Sequence, residues 1–279
     1  MKKIIAAFDG LSYSETTAAY AINLAKIANT HIVGVFLDDI LYSSTNVYNL
    51  ITEGGDLDEK LREATQKDKR IRDIAAQNFE DMCSNAALDY SMHHDRNIAL
   101  QELKLESIYS DLLIIDAKET LTHYKEKAPT HFMRDLLGDA QCPVLVVQKK
   151  YKPITKLILL YDGEPSSVHA IKMFSYLLPQ LKHLETEVIS VKPVESSLHL
   201  PDNKLMKELM KRHFPKAIYT VLKGNAELEI VSHLKQEEEN AVVVLGAYRR
   251  GSVSRWFRES MADVLMKEIK MPLFIAHSK

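Results

Sequence analysis

Cysteine is nearly absent from this chain: there are two, Cys83 and Cys142, and they form no CxxC pair. A fold built on disulfides is thereby excluded, and a reducing, cytoplasmic compartment is the expectation. No apolar run approaches the roughly 20 residues that span a bilayer, so no membrane association is expected. The opening MKKIIAAFDG starts like a signal peptide. Its apolar stretch breaks at Asp9 and no small-residue cleavage site follows, so it reads as a first buried strand. Charge of one sign is also missing: 36 Lys and Arg stand against 38 Asp and Glu, a net charge of −2. No whole-protein basic field draws the chain to nucleic acid. No GxSxG elbow is present, so hydrolase chemistry has no support, and no catalytic residues are assigned.

What is present is a soluble composition, 46% hydrophobic and 27% charged, and an alternation of two periods. Ile4–Phe8 is a short apolar run of the kind found in parallel strands covered on both faces. Asp9-Gly10 ends it, and an alanine-rich helix follows, capped by Ser12 or Ser14. His31–Leu37 reads as a second strand. Leu57–Ala87 reads as a long charged helix with Leu61, Ala64, Ile71, Ile74, Ala75 and Phe79 inward. Asp89–His93, Leu112–Asp116 and Pro143–Val147 complete five strands, with helices at 99–110 and 132–140 between them.

The pattern then restarts. Leu157–Tyr161 followed by Asp162-Gly163 mirrors the first strand and its Asp-Gly, and Pro165 stands at a helix start. Strands at 187–191, 217–222, 242–245 and 272–276 alternate with helices at 201–213, 225–236 and 260–269. Met271-Pro272 precedes the last run as Cys142-Pro143 precedes the fifth. A period of about 150 residues is too long for a solenoid and implies a duplicated domain. The expected units are residues 1–150 and 154–279, with Lys149–Thr155 as linker. The fold class is α/β: two tandem flavodoxin-like domains, each a five-stranded parallel sheet flanked by helices. Ligands on such sheets bind beyond the carboxyl ends of the strands, at the topological switch point.

The stretch with most chemistry is Val242–Lys267, a strand, a loop opened by Gly246, and a helix from Ser260. Strand-to-helix loops of this kind build phosphate sites. Gly246–Gly251 has Walker spacing, but Ser252-Val253 stands where Lys-Ser/Thr is needed, so a P-loop is rejected. Arg249, Arg250, Arg255 and Arg258 make the loop basic. They suit contact with a phosphate or an acidic partner, or a solvated loop paired with Glu259 and Asp263. Trp256-Phe257 suits core or dimer packing.

The chain resembles tandem universal stress proteins. The resemblance rests on the strand ending in Asp-Gly before an alanine-rich helix, seen twice, on the 242–269 unit, and on the Cys/Met-Pro β-run closing each half. It implies an adenine nucleotide such as ATP, with Mg, in the second half. The family's nucleotide loop carries spaced glycines and then a hydroxyl residue. Gly246 fits the first glycine, Arg249 and Glu259 replace the next two, Gly251 is offset, and Ser260 fits the hydroxyl. By the same resemblance Asp162 contacts base and ribose, and the Val191 backbone contacts the base. Without glycine, backbone N–H groups approach phosphates less closely, and Glu259 repels them. The resemblance also implies that the closing strands of the two halves pair antiparallel, an intrachain pseudo-dimer that covers two edges. Homodimer formation is left open.

In the first half the loop is lost: after Ile115 no glycine occurs until Gly138. The residues after its strands, Asp9, Asp38, Asp39, Asp95 and Asp116, are acidic. Their counterparts Asp162, Lys192, Lys223, Arg249 and Arg250 are largely basic, so an anion is expected at the second mouth. His93-His94-Asp95 offers a metal set with Asp9, Asp38 or Asp116, or ordinary surface histidines; no metal site is assigned. Asp9 and Asp162 also suit helix caps, and 236–240, QEEEN, a solvated charge run. These readings converge on a non-catalytic, cytoplasmic stress-response protein with a nucleotide or anion site in its second half. The alternatives are a module that binds an unknown protein partner and no nucleotide, and a weak ATP-hydrolysing or metal-dependent enzyme.

Overall fold

The computed structural model describes residues 1–38, 56–95, 98–122, 125–148, 150–247 and 260–276. The first half contains β1 (Lys3–Asp9), α1 (Glu15–Ala28), β2 (His31–Leu37), α2 (Leu57–Asn85), β3 (Tyr90–Asp95), α3 (Ala99–Ile108), β4 (Leu112–Asp116), α4 (His131–Asp139) and β5 (Val144–Val147). The second contains β6 (Lys156–Leu160), α5 (Pro165–Leu177), β7 (Glu185–Lys192), α6 (Asn203–His213), β8 (Ile218–Lys223), α7 (Ala226–Leu234), β9 (Ala241–Gly246), α8 (Met261–Glu268) and β10 (Leu273–Ala276).

Among the described residues ten strands form one sheet, in the order β3-β2-β1-β4-β5-β10-β9-β6-β7-β8. Within each half every pairing is parallel. The halves meet where β5 and β10 pair antiparallel, with Leu273 opposite Val146, Phe274 opposite Leu145 and Ile275 opposite Val144. That register is symmetric about Leu145 and Phe274. Leu113 N–H donates to Pro143 O, and Val243 N–H donates to Pro272 O, both at 3.0 Å. The prolines that open the closing strands thus accept equivalent bonds in the two halves. Neither strand remains an edge, so the two five-stranded sets are joined in one sheet rather than separate.

Each strand alternates its side chains between two apolar layers. Ile4, Ala6, Phe8, Leu145, Leu157, Leu159, Val244 and Phe274 belong to one layer, and Ile5, Ala7, Val146, Ile158, Val243 and Ile275 to the other. Both layers run through both halves. Phe274 is fully buried and meets Phe174 of α5 edge-on at 5.0 Å. The linker docks too: Tyr151 meets Tyr20 at 4.8 Å, and Lys152 N–H donates to the Tyr20 hydroxyl at 3.3 Å.

The 29-residue α2 is about 43 Å long at 1.5 Å per residue, far longer than the strands beside it. It therefore overhangs the sheet. Leu61 and Ile74, expected inward, are 44% and 61% exposed, while Asp68, Ala75, Ala76, Phe79 and Cys83 are buried. Leu61 lies toward the overhanging end, since helix periodicity marks a face but not where the sheet beneath it ends; Ile74, next to buried Ala75 and Ala76, lies on the solvent face instead.

Burial pushes the Cys83 thiol up to about 12 and the Cys142 thiol up to about 11. Neither thiol should react with a disulfide reagent at neutral pH until the chain unfolds, which titration with and without denaturant checks. Truncation of Phe274 at the joint should cost about 3–5 kcal/mol: urea unfolding of Phe274→Ala is expected to show an unfolding free energy in water lowered by that amount.

Candidate functional site

In each half the strands run outward from β1 or β6 in one direction and then return on the other side. The switch points are therefore the carboxyl ends of β1 beside β4, and of β6 beside β9. They lie at corresponding places, and their contents differ.

In the first half, β1 ends at Asp9, which is 4% exposed. Its Oδ1 accepts from Leu11 N–H at 2.8 Å. The cap of α1 is instead Ser14, whose hydroxyl oxygen accepts from Thr17 N–H, so the expectation that Asp9 caps the helix is corrected. The Ser14 hydroxyl also donates to Asp116 Oδ2 at 3.1 Å, across the switch point. Two further residues, unread in the sequence, complete this mouth. Arg72 reaches from α2 and pairs with Asp38 at 2.7 Å. Its stem covers Gly10, where an added Cβ would lie 3.0 Å from Arg72 Cγ. Glu119 accepts from Thr120 N–H and Leu121 N–H at 3.0 and 3.2 Å. Burial raises the pKa of Asp9, a shift opposed by the Leu11 N–H and by Arg72 and increased by Asp38 and Asp68. Burial pushes Glu119 up to about 7, with Asp9 and then Asp116 adding to it. This mouth is acidic, as the strand ends predict, but it carries its own cation. The Arg72 stem stands over the glycine that follows β1, and its guanidinium pairs with Asp38.

The histidines there do not join it. His93 Nδ1 bonds Glu106 Oε1 at 2.5 Å, and His94 stacks on Phe36 at 5.4 Å. Residue 39 lies outside the described residues.

In the second half the order β9-β6-β7 places Gly246, Asp162 and Val191 at adjacent strand ends. Val191 pairs with Leu222, and Tyr161 N–H donates to Ile189 O at 2.9 Å. Asp162 is exposed, and its Oδ1 accepts from Glu164 N–H at 2.9 Å. It closes a turn rather than capping α5, whose cap residue is Glu164 and whose first turn holds Pro165. Helix α5 starts about one turn sooner after Asp162 than α1 does after Asp9, and this has a consequence for Gly246. An added Cβ there would stand 2.4 Å from Ser166 C and O and 2.7 Å from Ser167 N. The glycine is required by helix packing, whatever else it contacts. At the corresponding place in the first half, where the helix starts later, Asp116 fits.

Ser260 is the N-cap of α8 and its hydroxyl oxygen accepts from Ala262 N–H at 3.3 Å. Since β10 runs parallel to β9, the chain crosses the sheet between them. The N-terminus of α8 therefore lies at the same end as the strand termini. Arg249 and Gly251, with Arg250, Arg255, Trp256, Phe257, Arg258 and Glu259, lie outside the described residues.

The basic character expected of this mouth is reduced among the described residues. Lys223 Nζ donates to Ser196 O, and lies 3.4 Å from both Pro193 O and Ser197 O. It holds the loop after β7. That loop continues to Pro201, whose carbonyl accepts from the Tyr161 hydroxyl at 3.1 Å and whose Cβ would be 2.8 Å from a Cβ on Gly163. Gly163 adopts φ +90 beneath it, the left-handed region that favours glycine. The residues thus fit an adenine nucleotide in part. The strand ends and the helix cap converge, while Gly246 and Lys223 are accounted for by the fold itself.

No protein-family model matches the chain, and no curated protein matches it. Its structure is similar to that of a universal stress protein from Archaeoglobus fulgidus DSM 4304, with a TM-score of 0.69 at 15% identity over 99% of this chain and 98% of that one. It is also similar to a functionally unknown protein from Pseudomonas aeruginosa PAO1, with a TM-score of 0.59 at 13% identity over 99% of this chain and 92% of that one. At these identities the likeness concerns the fold, which both share over nearly the whole chain. Among the described residues no helix is long and apolar enough to cross a membrane.

The raised Glu119 carboxyl makes the first mouth pH-sensitive. The folded chain binds this proton more tightly than the unfolded chain, whose glutamate titrates near 4.5. The Glu119 contribution to stability should therefore be complete at low pH and fall as pH rises from about 4.5 to about 7. Thermal unfolding of Glu119→Gln between those limits is expected to lack that decline relative to the parent chain.

Proposed function

We propose that the chain is a tandem member of the universal stress protein family, made of units 1–150 and 154–279 and closed by β5 and β10 as an intrachain pseudo-dimer. It acts without catalysis as a cytoplasmic stress-response protein. Its second half is a degenerate site for an adenine nucleotide, ATP with Mg being the candidate. The observation that carries this reading is the convergence of Asp162, Val191 and Gly246 on adjacent strand ends, with the Ser260-capped helix starting at the same end of the sheet. A helix N-terminus favours anions through its free N–H groups and dipole. In that reading Asp162 and the Val191 backbone hold the nucleoside, Gly246, Gly251 and Arg249 face the phosphates, and Ser260 closes the site. The contents of the first mouth support the same assignment: Asp9, Asp116 and Glu119 disfavour an anion there, and Arg72 lies across it.

A second reading, a module that binds a protein partner and no nucleotide, is favoured by one specific fact. Gly246 has a packing reason to be glycine, so its presence does not require a phosphate.

Thermal shift with ATP and magnesium separates the two. A ligand at 100 times its dissociation constant adds about 2.7 kcal/mol of stability. The nucleotide reading expects a saturable shift, and expects Ser260→Asp to abolish it. Aspartate still caps a helix but sets a negative charge against the phosphates, so unliganded stability should hardly change. No shift at millimolar ATP supports the interaction module. A shift untouched by Ser260→Asp means the nucleotide sits elsewhere, and hydrolysis above background would make the protein an enzyme.

A further inference from the structure

The polar cluster at the opposite end of the second half has no role in the reading above. Glu187 lies near the start of β7, between Ile158 of β6 and Ile218 of β8. It is 4% exposed, a carboxylate in an otherwise apolar strand. His233 comes from the last turn of α7, and Glu237 follows one helical turn later. Lys156 is the first residue of β6. Glu237 belongs to the run expected to be a solvated charge patch, and that expectation is corrected. Its Oε2 lies 2.9 Å from Lys156 Nζ.

The geometry divides into two sides. Lys156 Nζ takes the Oε2 atoms, at 2.9 Å from Glu237 and 3.3 Å from Glu187, and also lies 3.2 Å from Glu185 Oε1. The Oε1 atoms of the same two glutamates face His233. Its Nε2 lies 3.3 Å from Glu187 Oε1 and 3.9 Å from Glu237 Oε1. Yet Nε2 is shielded from solvent and makes no hydrogen bond to either oxygen; its contact with Glu187 Oε1 is an ion pair only when the ring is protonated. A buried ring nitrogen without a partner is costly. One donor atom from each of Glu187, His233 and Glu237 lies within 4.8 Å of the other two. Donors around a first-row divalent ion at about 2.0–2.2 Å stand about 3–3.6 Å apart, so a pair at the 4.8 Å limit must close by about 1.2 Å or more to come into range.

We propose that Glu187, His233 and Glu237 bind a first-row divalent cation of the zinc class, through Glu187 Oε1, Glu237 Oε1 and His233 Nε2. Imidazole and carboxylate donors together suit such ions. Lys156 is not displaced, because it holds the other oxygens, and it fixes both carboxylates from behind. The Thr220 hydroxyl donates to Glu187 Oε1 at 2.5 Å and orients the same group. Such outer contacts set the geometry of metal ligands. Glu185, Glu187 and Glu237 outnumber the one lysine, which leaves an excess of negative charge for a cation to offset. The first half has a related cluster without the third donor. Lys3 and His93 both bond Glu106, and Val33 stands where the second half has Glu187.

The test uses the full chain stripped of metal with EDTA and titrated calorimetrically with zinc chloride, with Co²⁺ as the spectroscopic probe. The expected result is a single zinc site and a visible Co²⁺ spectrum. His233→Ala and Glu237→Gln should each weaken zinc at least ~10-fold, while His93→Ala and Ser260→Asp leave it unchanged. Glu237 is partly exposed, so its variant keeps the fold, which circular dichroism verifies. Absence of zinc binding at 100 μM overturns the proposal. So does binding that neither His233→Ala nor Glu237→Gln alters, or that His93→Ala removes. Because Ser260 lies at the other end of the sheet, failure here and failure of the nucleotide reading are separate results.

Discussion

The antiparallel pairing of Val144–Val147 with Leu273–Ala276 is the contact on which the rest of the molecule depends. A five-stranded parallel sheet that ended at either strand would expose a short, wholly apolar edge, an invitation to pair with another chain. Joining the two edges removes that liability and makes the apolar layers on both faces continuous across the halves. The symmetric register about Leu145 and Phe274 then places the two halves in matching relation, with their switch points at corresponding strand ends.

Once the two mouths are fixed by the same topology, their difference comes from a few side chains and one helix start. In the first half α1 begins late, Asp116 fits beside Ser14, and Arg72 lies over Gly10. In the second half α5 begins about one turn sooner, and its backbone presses on Gly246 so closely that no side chain fits there. The same strand position is thus carboxylate in one copy and glycine in the other for a reason of packing. Electrostatics follows from that difference. The first mouth concentrates buried carboxyl groups whose proton affinity is raised, while the second leaves Asp162 exposed in a turn.

At the far end of the sheet the second half carries the cluster around Glu187. Burial works against the charge on that carboxylate, but the Thr220 hydroxyl, His233 and Lys156 outweigh it and hold its pKa below the ordinary value. Lys156 is likewise held charged: burial opposes it, and Glu237 and Glu185 outweigh the burial. A charged residue inside an apolar strand needs such partners, and here they come from two neighbouring strands and a helix end. The two ends of one domain therefore do different electrostatic work.

The alternation of periods, the repeated Asp-Gly after a strand and the Pro-led closing runs were enough to place the strands, the helices and the restart of the pattern, while the antiparallel pairing of the halves was implied by the family resemblance. These are local regularities, repeated twice, and each copy corroborates the other. The positions of Asp162 and Gly246 at strand ends were also legible, because residues closing parallel strands fall at the mouth in any sheet of this class, whereas Val191 and Ser260 were named through the family resemblance. Which charges meet depended on the folded arrangement. Arg72 lies far along the chain from Gly10, Glu119 from Asp9, and His233 from Glu187, so no spacing could reveal that they share a site. Leu61 keeps the helical period yet faces solvent, because a helix pattern does not record where the sheet beneath it stops, while Ile74, next to buried Ala75 and Ala76, lies on the face turned away from Phe79. The sequence alone determined the order of the elements, since that order is written in neighbouring residues. The fold decided the chemistry of each cleft, since that depends on side chains brought together across the sheet.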